Sequence, residues 1–185
     1  MTVTLVGYRG CGKSSVAPLL AERLGYACAD SDAEIERQAS CSIAEIFATE
    51  QEAGFRRRET SVLRTLLQNS NLVLAAGGGA ILAEENRRMM RAAGPVIWLT
   101  APVEVLAARI ADDATSATLR PALTGQSATE EVAQVLNARW ALYEAAATHQ
   151  VDTADNTPAE VVEAIVGQVG KSGELPPRLT GSEPS

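Results

Sequence analysis

The chain has 185 residues, 46% apolar and 21% charged, which is enough for one domain with a substantial core. Its net charge of −7 disfavours nonspecific nucleic-acid binding, and no apolar run reaches the ~18 residues a membrane helix needs. Cys11, Cys28 and Cys41 lack CxxC spacing, which argues against a disulfide framework or zinc site and fits a reducing cytoplasm; the opening MTVTLVGYRG has no secretory-signal pattern.

Val3 to Val6 predicts a short strand rich in β-branched residues. Helical spacing follows from Ser14 to Leu24, with Val16, Leu19, Leu20 and Leu24 apolar. Pro18, in the second turn, predicts a local bend or a late helix start. A second strand is expected around Tyr26 to Ala29. Helices are expected over Ala33–Ala39 and Ile43–Glu50, the latter with Ser42 and Glu45 in capping-box spacing. A longer helix, Gly54 to Asn69, carries Arg56, Arg57 and Arg58. Leu72–Ala76 reads as a buried strand ending in Gly77-Gly78-Gly79, and a helix around Glu84–Ala93 precedes a strand over Val96–Leu99. Pro102 opens a helix running to about Ala111. Asp112 to Ala128 is polar, turn-rich and aperiodic, the pattern of a long mobile loop. A helix from Thr129 to about Thr148, an edge-like strand over Gln150–Thr153 and a helix from Pro158 to about Val169 complete the domain. Residues 171–185 read as a disordered tail. Strands alternating with helices indicate an α/β fold, a five-stranded parallel sheet covered on both faces within one domain, 1–170.

Residues 7–14, GYRGCGKS, fit the phosphate-loop pattern GxxxxGK[ST], following a strand and opening a helix as that pattern requires. Gly10 and Gly12 permit backbone angles that turn successive N–H groups inward, and the helix N-terminus adds a positive dipole end. Lys13 supplies a mobile cation for β and γ phosphates, and the Ser14 hydroxyl suits Mg²⁺. Cys11, inside the loop, reads as a small filler or as an oxidation-sensitive thiol.

Asp30 and Asp32 flank Ser31 at the end of the second strand, on the sheet edge where the phosphate loop also lies. The pair suits metal and base chemistry, and equally suits capping of the following helix. Arg56, Arg57 and Arg58 are spaced about 100° apart on a helix, so at most one or two face a common pocket. Gly77-Gly78-Gly79 allows close backbone approach to a ligand or simply a tight turn. Arg120, in the long polar loop, suits an arginine that closes over phosphate, and taken alone reads equally as a surface loop arginine. Arg139 lies in ARWALY, where Trp140 and Tyr143 read as core, and His149 reads as structural.

Taken together, GYRGCGKS, DSD, SIAEIF, EAGFRRRE, GGG, RPAL and RWALY resemble the shikimate kinases, from the phosphate loop to Pro158. The resemblance implies a P-loop kinase fold close to the nucleoside-monophosphate kinases, with a substrate-binding region at about 32–60 and a lid at about 112–128. It implies transfer of the γ-phosphoryl of ATP to the 3-hydroxyl of shikimate, in the route to aromatic amino acids. By position it implies Gly10, Cys11, Gly12, Lys13, Ser14 and Ser15 around ATP, Arg109 near adenine and Arg120 reaching the phosphates from the lid. Ser14 and Asp30 would serve Mg²⁺, and Asp32 would bind the substrate hydroxyls and take the proton. Arg56 and Arg139 would clamp the shikimate carboxylate, Gly77, Gly78 and Gly79 would border it, and Glu59 would hold Arg56. Lys13, Asp32 and Arg120 would be catalytic. Ser15 stands where the family often has Thr, and DTADNTP offers Asp155 and Asn156 where it often has an arginine. A cytoplasmic monomer with a small-molecule substrate, and with no nucleic-acid or membrane partner, is expected. A gluconate-type kinase and a nucleotide-binding module without catalysis are the competing readings.

Overall fold

The computed structural model describes residues 1–112 and 128–173. Arg120, most of the expected lid and residues 174–185 lie outside them. Five parallel strands form one sheet: β1 (Thr2–Val6), β2 (Ala27–Asp30), β3 (Leu72–Ala75), β4 (Val96–Thr100) and β5 (His149–Asp152), in the order β2-β3-β1-β4-β5. Seven α-helices are present among the described residues: α1 (Lys13–Leu24), α2 (Ser31–Ala39), α3 (Ile43–Leu66), α4 (Glu84–Ala93), α5 (Val103–Asp112), α6 (Ala128–Ala146) and α7 (Pro158–Lys171).

Alternation along the strands divides the core. Val3, Leu5, Val73, Ile97 and Leu99 pack with Leu20 of α1 and with Val161, Val162 and Ile165 of α7. On the other face Val6, Leu72, Leu74, Val96 and Trp98 pack with Leu63 of α3, Met90 of α4 and Tyr143 of α6. A third, smaller cluster of Ile35, Ile46, Phe55 and Val62 holds α2 against α3. These helices therefore carry apolar packing of their own on one side of the sheet's carboxyl edge.

Strand order positions the site. β1 lies between β3 and β4, and β3 pairs with β2, so the turns leaving β2, β3 and β1 emerge side by side. The register is level: Asp30 aligns with Ala75, and Ala75 with Leu5. The DSD, GGG and phosphate-loop stretches thus leave the sheet from one row, at the carboxyl edge where open α/β sheets bind ligands.

The helix ends follow local rules. Ser42 and Glu45 cap α3 reciprocally, the Ser42 N–H donating to Glu45 Oε2 at 2.8 Å. Thr157 and Glu160 do the same for α7, with Pro158 in its first turn. α1 begins at Lys13, one residue before the expected start, and continues through Pro18 to Leu24. The two helices expected over Ile43–Glu50 and Gly54–Asn69 are two segments of α3, separated by a kink at Gln51. The second stops at Leu66, where Asn69 Nδ2 donates to the Leu66 carbonyl at 3.1 Å. His149 sits on the edge strand, its ring nitrogens beside the Thr148 and Ser172 hydroxyls at 2.8 and 3.3 Å.

Candidate active site

The phosphate loop bridges β1 and α1 through three glycines with positive φ: Gly7 (148°), Gly10 (79°) and Gly12 (92°), the last capping α1. A β-carbon on Gly7 would lie 2.5 Å from the Leu99 carbonyl oxygen and 2.7 Å from Cys11 Sγ. The residue must therefore be glycine for space as well as for angle. Lys13 curls over its own loop, its Nζ donating to the Gly7 carbonyl at 2.7 Å and the Tyr8 carbonyl at 3.1 Å, and lying 3.5 Å from Cys11 Sγ. Two neutral carbonyls hold the ammonium over the loop, and anionic phosphate oxygens compete well for it. Cys11 is buried, which favours the filler reading over the oxidation-sensitive one, whereas Ser14 and Ser15 are exposed.

Arg109 of α5 ties this loop to the turn after β5. It donates to the Thr153 carbonyl at 2.6 Å, the Thr153 hydroxyl at 3.1 Å and the Gly10 carbonyl at 3.4 Å. Asn156 borders the same end of the cleft, donating to the Asp152 carbonyl at 3.2 Å. Arg9 reaches α6 instead, 3.3 Å from Glu131.

The Asp pair divides its duties. Asp30 caps α2, its Oδ1 accepting from the N–H of Asp32 at 2.8 Å and of Ala33 at 3.1 Å, so the capping reading holds for Asp30. Asp32, in the first turn of α2, lies against Gly77, where a β-carbon would overlap its Oδ1. Between them, fully buried Ser31 accepts from the Gly77 N–H at 2.8 Å.

The triple glycine is where the acidic and basic groups meet. The Gly78 carbonyl accepts from Arg139 Nη1 at 3.3 Å and from the Tyr143 hydroxyl at 3.1 Å. Burial holds the Tyr143 phenol well above its usual pKa, so it remains a donor. A β-carbon on Gly79 would overlap the Arg56 guanidinium. Asp32, Arg139 and Arg56 thus each touch one of three successive residues.

The three consecutive arginines have three environments. Arg56 donates to buried Glu59 at 2.8 Å and to Glu52 at 3.3 Å, and lies 5.1 Å from the centre of the Phe55 ring. Arg57 is exposed. Arg58 pairs with Glu50. Tyr143 belongs to the core, stacked on Trp98 at 5.3 Å, but Trp140, expected to be core, is 45% exposed and meets Trp98 edge-on at 4.7 Å.

These elements enclose a cleft of about 750 Å³ whose lining includes Lys13, Ser14, Asp30, Asp32, Arg109 and Arg139. Arg56 and Gly79 stand beyond that lining, against one another. Ser31, Tyr143 and Glu131 were not picked out by the sequence as site residues. For Ser31 the available signal was its place between the two aspartates at the junction of β2 and α2.

A family model described as shikimate kinase matches residues 9–169. The chain is similar to the shikimate kinase of Rhodopirellula baltica, with 45% identity over 172 residues covering 91% of this chain and 92% of that protein. It is also similar to shikimate kinase 2 of Serratia proteamaculans, with 48% identity over 165 residues covering 89% and 93%. Among solved structures, the shikimate kinase from Acinetobacter baumannii in complex with shikimate superposes with a TM-score of 0.84 at 37% identity, covering 95% of each chain.

Proposed function

The chain belongs to the shikimate kinase family and is an ATP-dependent kinase of shikimate, and we propose that it moves the γ-phosphoryl to the substrate's 3-hydroxyl between Lys13 and Asp32. The observation that carries this assignment is the convergence of Asp32, Arg56 and Arg139 on Gly77–Gly79, level with the phosphate loop.

The inward-turned backbone from Gly10 to Ser15 cradles the triphosphate. Lys13 leaves its two loop carbonyls for β and γ oxygens, and Arg109 borders the adenine end. To Arg120, which lies outside the described residues, we assign a contact with the phosphates. On the acid side, Arg56 and Arg139 grip the shikimate carboxylate. Guanidinium groups match that planar anion better than an ammonium does, and a chain of net charge −7 needs such a local concentration of cations. Glu59 fixes Arg56, and Gly77, Gly78 and Gly79 let the ring approach the backbone.

Asp32 orients the 3-hydroxyl. The hydroxyl oxygen bonds to the γ-phosphorus as the bond to the β-bridging oxygen breaks. The hydroxyl proton passes late to Asp32, because an alcohol cannot ionise early near neutral pH. Positioning and charge stabilisation supply most of the rate.

Mg²⁺ fits the residues present. The Ser14 hydroxyl and the Asp30 carboxylate line the cleft beside Lys13, and both are hard oxygen donors. Held by Ser14 and Asp30, Mg²⁺ would offset the negative charge of the nucleotide's phosphates.

We further propose a cytoplasmic monomer with no nucleic-acid or membrane partner. The net charge supports this, as does the finding that, among the described residues, only Leu19 and Trp140 are large exposed hydrophobics. No described helix is long and apolar enough to cross a membrane.

The test is coupled ADP release with shikimate or gluconate as acceptor. ADP formed with shikimate and not gluconate is expected. ADP formed with gluconate alone, or with neither, overturns the assignment.

A further inference from the structure

Along an unbroken helix, residues eight apart are separated by about 12 Å, well outside the three- and four-residue spacing at which side chains are neighbours. Glu50 and Arg58 are eight apart, yet Arg58 Nε donates to both Glu50 oxygens at 3.0 Å and its Nη2 to Oε1 at 2.6 Å. The pair exists because α3 kinks between its partners. Gln51 has φ 58° and ψ −176°, a conformation close to glycine-only. Gly54 makes the fold-back possible: a β-carbon there would overlap that of Glu50. The Arg58 guanidinium holds the Glu50 carboxyl below its ordinary pKa, so the pair stays charged.

The kink also leads directly to the substrate arginine. Glu52, the residue after Gln51, accepts from Arg56 Nε at 3.4 Å and Nη2 at 3.3 Å. Phe47, on the segment before the kink, stacks at 4.7 Å on Phe55, the ring beneath Arg56. The angle between the two segments thus sets both the outer acidic partner of Arg56 and the ring it rests on. On its far side the guanidinium lies against Gly79, in space that a β-carbon there would occupy.

Resting on the assignment of Arg56 to the shikimate carboxylate, we propose that Glu50 and Arg58 are positioning residues for Arg56. They clamp a kink that Gln51 strains, and the clamp is needed because Gln51 is not glycine. Arg58 bonds to Glu50 across the kink, so the influence of the pair on Arg56 passes through the kink.

The experiment measures kcat and both KM values by ADP release for wild type, Arg58→Ala, Glu50→Gln, Gln51→Gly, the double variant Gln51→Gly/Arg58→Ala, and Arg57→Ala, with thermal midpoints throughout. Arg58→Ala and Glu50→Gln are each expected to raise KM for shikimate about 10-fold while leaving KM for ATP within about 2-fold. Gln51→Gly alone keeps the wild-type values, because glycine adopts that conformation freely. Gln51→Gly/Arg58→Ala returns KM for shikimate to within about 3-fold of wild type, since an unstrained kink needs no clamp. Exposed Arg57→Ala is unchanged. The proposal is overturned if Arg58→Ala and Glu50→Gln lower the thermal midpoint without moving KM for shikimate, or if glycine at position 51 fails to rescue Arg58→Ala. If Arg58→Ala does not fold, Glu50→Gln and Gln51→Gly/Glu50→Gln decide by the same criteria. An inactive wild type would instead overturn the assignment of substrate, a distinct result.

Discussion

On the nucleotide side of the cleft, the loop between β1 and α1 works through its backbone, with three positive-φ glycines setting the direction of its N–H groups. On the acid side, side chains from α2, α3 and α6 converge on Gly77–Gly79. The first design is local, built mainly from one short run of consecutive residues, with Arg109 of α5 tied to it. The second is assembled from residues distant in sequence and depends on how helices are held. A backbone site fails when its chain path is blocked, whereas a side-chain site fails when one group is moved or removed.

Groups that touch the reacting atoms should give the largest effects on either side. Lys13→Met and Asp32→Asn are each expected to lower kcat by at least ~10²-fold with thermal midpoints nearly unchanged. Full turnover by either variant would remove that residue from the reaction. Next come the carboxylate clamps. Arg56→Ala and Arg139→Ala are expected to raise KM for shikimate roughly 10- to 100-fold, the worth of one charged hydrogen-bonded contact, with KM for ATP retained. Equal losses for both substrates would mean that the two sides are not separate.

A single added methyl sharpens the comparison. At Gly7 it meets the Leu99 carbonyl at 2.5 Å, a backbone atom that cannot yield, at φ 148°. Gly7→Ala is therefore expected to cost roughly 2–4 kcal/mol in urea unfolding. At Gly79 the obstacle is the end of the Arg56 side chain, which can swing away. Gly79→Ala is expected to leave the unfolding midpoint nearly unchanged and to raise KM for shikimate about 10-fold by displacing Arg56. If both substitutions act on stability alone, the contrast between the two sides is wrong.

The same contrast explains what the sequence could reveal. The phosphate loop was legible because all its parts lie within residues 7–14, with a strand before and a helix after. Most strands and helices were legible from periodicity, and the capping box at Ser42 from local spacing; the one at Thr157, in the same spacing, is seen in the structure. The acid side was legible only as separate stretches. Helical geometry said that Arg56, Arg57 and Arg58 must diverge, but not which one faces the glycines; the partners Glu59, Glu52 and Glu50 decide that in three dimensions. The DSD stretch was ambiguous between cap and site because Asp30 does cap α2 while lining the cleft. The break in α3 was legible as the gap between the helices expected over Ile43–Glu50 and Gly54–Asn69, but its form was not: a kink at Gln51 within one merged helix, which Gly54 admits by leaving room for Glu50.

The smallest expected effect tests the backbone character of the nucleotide side. Cys11 is the buried side chain at the centre of the loop, packed on Gly7 and 3.5 Å from Lys13 Nζ. If the loop acts through its backbone, this side chain is filler. Cys11→Ala removes one sulfur atom from a tight site and should cost about 1 kcal/mol of stability. KM for ATP should stay within about 3-fold, because Lys13 is held mainly by the Gly7 and Tyr8 carbonyls, which the substitution leaves in place. A large rise in KM for ATP in Cys11→Ala, with the fold intact, would mean that the sulfur helps to set the lysine, and the nucleotide side would then depend on side-chain placement as the acid side does.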